Sequence, residues 1–138
     1  MVDISAVSPT ITGIPTLAAL GDSRWSQGWT TSANLIHSRP LGPVWLPALM
    51  AQRVRLPYAN NFSVSTTTLQ DIIDTQLPVL TAAQAAGAGI THCLILSGTN
   101  TFAAGTSAAT AIAQVLQIWA ALKLLGIQPI MMLDLPRR

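Results

Sequence analysis

Three short apolar runs, each closed by turn-forming residues, decide what this chain can become. Leu17-Ala18-Ala19-Leu20 runs into Gly21-Asp22-Ser23, Cys93-Leu94-Ile95-Leu96 into Ser97-Gly98, and Ile130-Met131-Met132-Leu133 towards Pro136. Compact apolar runs bounded in this way read as buried strands. Val54 to Ala59 reads as a further strand. Between the runs the period changes. Thr66-Thr67-Thr68 offers an N-cap, and Leu69, Ile72, Ile73, Leu77 and Leu80 follow at helical spacing until Gly87 and Gly89 end the helix. Pro78 should kink or divide that helix. After Gly105, Thr106 or Ser107 caps a second helix, with Ile112, Val115, Leu116, Trp119, Leu122 and Leu125 on one face and Gly126 as its stop. Strands alternating with helices imply an α/β fold with a parallel sheet and right-handed crossovers.

The chain of 138 residues is the size of one domain, so residues 1–138 are expected to form a single unit. Half of it is hydrophobic and 9% is charged, which excludes a disordered chain. The charges are six Arg, Lys123, five Asp and no Glu, a net +2 that is too small and scattered for a nucleic-acid surface. Cys93 stands alone, so an internal disulfide framework is excluded, and one cysteine with two histidines leaves little for a zinc site. The longest apolar stretch, Ile112 to Leu133, is broken by Gln114, Gln117, Lys123, Gln128 and Pro129, which argues against a membrane span. Met1-Val2-Asp3-Ile4 has neither a basic start nor an apolar region before a cleavage site. A cytoplasmic or virion-associated protein fits this reading, as does a mature chain.

In open α/β sheets ligands bind beyond the carboxyl ends of the strands, and three polar motifs fall there. They are Gly21-Asp22-Ser23, the stretch Asn61-Phe62-Ser63-Val64-Ser65-Thr66, and Ser97-Gly98-Thr99-Asn100. A serine on a tight strand-to-helix turn can attack a carbonyl and help to bind the resulting oxyanion. Asn100 can offer a side-chain N–H to the same oxyanion, and backbone N–H groups around Thr66, next to a helix N-terminus, a third donor.

In order and spacing these motifs resemble blocks I, II and III of the SGNH (GDSL) hydrolases, and the resemblance covers roughly residues 15 to 135. It implies a three-layer α/β/α sandwich of flavodoxin-like type with strand order 2-1-3-4. It also implies Ser23 as nucleophile, with the oxyanion held by the Ser23 N–H, the block II N–H at Thr66 and the Asn100 side chain. Carbohydrate O-acetyl groups, short-chain esters and lipids are the substrate classes implied, with no metal or organic cofactor. The chain departs from the family pattern at three places. Thr66 stands at the block II glycine position, Thr101 replaces the Asp after the block III asparagine, and no Asp-x-x-His follows Asp134 within these residues.

Of the two histidines, His92 stands at the entry of a strand, the end opposite Ser23, while His37, fourteen residues after Ser23, could approach the site but has no evident Asp partner. Trp25, Trp29 and Trp45 follow the nucleophile and suit a cleft floor or packing over the sheet equally. Without the family's C-terminal helix, the sheet face under Leu94, Leu96 and the last strand is expected to be partly uncovered. At about 25 cal/mol per Å2, several hundred Å2 of lost burial costs on the order of 10 kcal/mol, as much as a domain's whole stability. A longer chain, an oligomer or a partner covering that face is the expectation. The rival reading is a non-catalytic carbohydrate-binding or structural module of a virion or larger assembly.

Overall fold

The computed structural model describes residues 13–22 and 57–131. Strands β1 (Leu17–Gly21), β2 (His92–Leu96) and β3 (Gln128–Met131) form a parallel sheet in that order, with β2 central. Leu17 pairs with His92 and Gly21 with Leu96, while His92 pairs with Gln128 and Ile95 with Met131. β3 therefore starts two residues before the sequence places it, and Leu133 lies outside the described residues. Pro129 falls inside it, at the margin of the sheet that the described residues form, where the N–H that proline lacks is not called on by β2.

The strand expected at Val54 to Ala59 takes another form. Residues 54–56 lie outside the described range, and Tyr58–Asn60 is one turn of 3-10 helix. The pairing with β1 comes later, as a parallel bridge between Ala19 and Asn61. Phe62 N–H donates to Ala19 O at 2.9 Å and Val64 N–H to Gly21 O at 3.1 Å. The displacement has a local cause: the buried Asn60 amide donates to Leu17 O, spending on the turn the β1 carbonyl that an earlier strand would use. The order 2-1-3-4 thus survives with its first member reduced to a bridge.

The first helix begins where the threonines predict. Thr68 caps α1 (Leu69–Asp71) in a capping box, its hydroxyl facing the Asp71 N–H and the Asp71 carboxylate accepting from the Thr68 N–H. Those bonds hold the Asp71 carboxyl below the usual carboxylate range. The chain continues through a π turn, Ile72–Gln76, into α2 (Leu77–Ala85). Pro78 divides the helix only in this sense. The wide turn, closed by Leu77 N–H on Ile72 O, lies immediately before the proline, which has no N–H to give. Gly87, at φ +89°, ends α2, with Ala88 N–H bonded back to Ala83 O.

After β2 comes an unanticipated short helix, α3 (Thr99–Ala103), and then α4 (Ala108–Leu124), capped by Ser107 through the Thr110 N–H. One core joins Ala18, Leu20, Cys93 and Ile95 of the sheet to Leu69, Ile72, Leu80, Ile118 and Leu122 of the helices, so the two long helical segments cover one face. Burial pushes the Cys93 thiol up, leaving an inert side chain. On the other face Leu94 is buried and Leu96 partly so, against the expectation of an uncovered patch; Ile130 on β3 is 39% exposed, as expected. Residues 23–56, which follow β1, fall outside the described residues. Among those described, no helix is long and apolar enough to cross a membrane, and no group of acidic, His or Cys side chains is placed to hold a metal ion.

Candidate functional site

At the carboxyl ends of β1 and β2 the chain turns on two glycines. Gly21 has φ +148° and Gly98 φ +152°, values that L side chains rarely adopt, which accounts for glycine in both polar motifs. Asp22 N–H donates to Leu96 O at 3.3 Å, so the exit of β1 is tied to the end of β2. Asp22 itself is buried. Ser23, the next residue, lies outside the described range, as do His37, Trp25, Trp29 and Trp45.

Of the other two predicted site residues, Asn100 bonds to the chain neighbour of Thr66. Asn100, in the first turn of α3, donates from Nδ2 to Thr67 O at 3.1 Å, one residue from Thr66. Thr66 has φ +67°, the one positive φ of a non-glycine residue among those described. Its backbone thus takes the left-handed conformation that a glycine would take, and no bond to its N–H is found among the described residues. A β-branched residue pays about 1–2 kcal/mol for that conformation. Thr66→Gly should therefore stabilise the fold by about 0.5–1 kcal/mol, the relief exceeding the extra entropy of glycine in the unfolded chain. Equilibrium urea unfolding measures it, and a destabilised variant would mean that the Thr66 hydroxyl bond to Ser65 O outweighs the strain.

Thr101 works inward. It is 1% exposed, and its hydroxyl accepts the Leu69 N–H at 2.9 Å, satisfying a donor of the helix's first turn. Thr101 thus serves the start of the helix at Leu69. Asn61 Oδ1 accepts from both the Ser63 N–H and hydroxyl, which shapes the block II stretch. His92 stands at the far end of β2 with Nδ1 3.0 Å from Thr91 Oγ1, and burial lowers its pKa from the ordinary histidine value. It is remote in register from the polar motifs.

Two residues at this sheet edge do not emerge from the motif reading. Gln76, 2% exposed, reaches from the π turn to Gly21. Its Oε1 accepts the Gly21 N–H at 2.9 Å, and its Nε2 donates to Gly21 O at 2.9 Å. Thr67, also buried, sets its hydroxyl 2.8 Å from the same carbonyl and 3.2 Å from Gln76 Nε2. The available signal was a polar residue on an apolar stripe: Gln76 stands four after Ile72 and four before Leu80, where the helix faces the core.

No protein-family model matches the sequence, and no curated protein matches it. Solved structures do. A protein from Parabacteroides merdae described as a GDSL-like lipase superposes with TM-score 0.61 at 15% identity, over 91% of this chain and 62% of its own. TesA gives 0.61 at 20%, over 88% and 62%. The psychrotrophic esterase EstA from Pseudoalteromonas, in a structure inhibited by monoethylphosphonate, gives 0.59 at 17%, over 84% and 57%. The structural neighbours are GDSL/SGNH hydrolases and esterases, and the likeness establishes the α/β fold. The chain spans about three-fifths of the length of these relatives.

Proposed function

We propose that this chain carries the nucleophile and oxyanion-binding part of a serine esterase acting on ester or O-acetyl groups of carbohydrates or short-chain lipids. The observation that supports the reading best is the pairing of Asn100 with the Thr66–Thr67 loop. The Asn100 amide is bonded to Thr67 O, and the residue before it, Thr66, holds its backbone in a glycine-like conformation at the carboxyl edge of the sheet.

In the reaction, Ser23 Oγ attacks the ester carbonyl carbon and its proton passes to a histidine supplied from beyond residue 138. The carbonyl oxygen takes up negative charge, held by the N–H groups of Ser23 and Thr66 and the amide of Asn100. The ester C–O bond then breaks and the alcohol leaves with that proton. Water, deprotonated by the same base, releases the acid and restores Ser23. No metal or organic cofactor takes part in this scheme.

Thr101 and the block II threonine favour a second reading, a module that keeps the fold to bind carbohydrate or to build an assembly. A fluorophosphonate probe separates the two, because it forms a stable adduct only with an activated serine. The expected result, on the protein extended to include the histidine-bearing segment, is one label per molecule, located at Ser23 by peptide mass spectrometry and lost in Ser23→Ala. Absence of label on that extended wild-type protein rejects the esterase reading and leaves the module.

A further inference from the structure

We infer that Gln76 and Thr67 are positioning residues that set the strand exit carrying the nucleophile, an inference that rests on the esterase reading of Ser23. Gln76 engages both polar groups of the Gly21 peptide unit, with Oε1 on the N–H and Nε2 on the carbonyl, each at 2.9 Å. The Gly21 carbonyl also receives Val64 N–H at 3.1 Å and the Thr67 hydroxyl at 2.8 Å. A side-chain amide here does the work of a neighbouring strand at the residue where β1 must turn.

The clamp reaches the oxyanion side as well. Thr67 holds Gly21 through its hydroxyl and Asn100 through its own carbonyl, so one residue spans block I and block III. Gln76 is delivered by the π turn, and its buried amide has its bonds satisfied at Gly21 and Thr67. A buried glutamine is costly unless satisfied, and an apolar residue at this helical position would simply extend the core. Its presence is explained by what it holds, namely the φ +148° exit two residues before Ser23. Misplacing a reacting group by about 1 Å costs up to roughly a hundredfold in rate, so the clamp belongs to the chemistry as well as to the fold.

The test measures labelling of Ser23 by a fluorophosphonate across probe concentrations, using the protein extended to include the histidine-bearing segment beyond residue 138. Gln76→Leu and Thr67→Val should lower the maximal labelling rate by about tenfold or more, with the half-saturating probe concentration unchanged. Thr67→Ser, which keeps the hydroxyl, should restore it. Ile118→Val, a core change remote from the site, controls for lost stability and should label at the wild-type rate. If Gln76→Leu fails to fold, the Thr67→Val and Thr67→Ser pair carries the test. Wild-type maximal rates in the folded variants overturn the clamp and leave the esterase reading intact. A wild-type chain that does not label overturns both.

Discussion

On the proposed esterase reading, replacing Asn100 by alanine should slow acylation of Ser23 by roughly 10²–10³-fold, the effect of deleting one oxyanion donor. The Asn100 amide has two N–H groups. One is given to Thr67 O at 3.1 Å, which fixes the plane of the amide and leaves the other to meet developing charge. The loss should fall on the maximal rate, because the oxyanion exists only after attack, and substrate affinity should change little. The half-buried bond to Thr67 is worth about 1 kcal/mol, so the variant stays folded. Asn100→Asp sharpens the experiment, since it keeps the shape, removes both donors and sets a negative charge beside the developing oxyanion. An aspartate variant that labels as fast as wild type would place the oxyanion elsewhere.

The largest effect on stability is expected at the centre of the sheet. Ile95 is fully buried on β2 and packs in the cluster that joins the strands to both long helical segments. Ile95→Ala should cost about 3–4 kcal/mol, combining lost transfer energy with a cavity that close packing cannot collapse. That is a large share of the roughly 5–15 kcal/mol that holds a domain together. Ile130→Ala, on the opposite face and 39% exposed, should change stability by no more than about 0.5 kcal/mol. Urea midpoints measured on both variants give the comparison. Equal losses at the two positions would mean that the two faces carry the fold alike.

The sheet was readable because its strands are buried. Cys93-Leu94-Ile95-Leu96 has one plausible use, and Gly89 before it and Gly98 after it mark its ends. Thr68 and Ser107 were legible as caps because a hydroxyl ahead of an apolar stripe has a specific partner, the N–H groups of the first turn. The turn at Tyr58–Asn60, within the span expected as a strand, was not legible because it is held by the Asn60 amide bond to Leu17 O, a tertiary contact that no local pattern reveals. The three polar motifs located the sheet edge, where Asn100 bonds to Thr67, the neighbour of Thr66. Gln76 was missed because a periodic pattern tallies apolar residues and passes over the polar one standing among them. Thr101 was noticed only as a departure from a family pattern, whereas its hydroxyl has its own task at the Leu69 N–H.

Pro129 bears on what can pair beyond β3. Gln128 N–H is committed to Thr91 O, so the alternation of a strand turns the backbone nitrogen of position 129 to the side of β3 away from β2. Proline leaves no hydrogen there, and its ring is buried. A strand laid along that side, whether from this protein or another, would find one rung missing from its ladder.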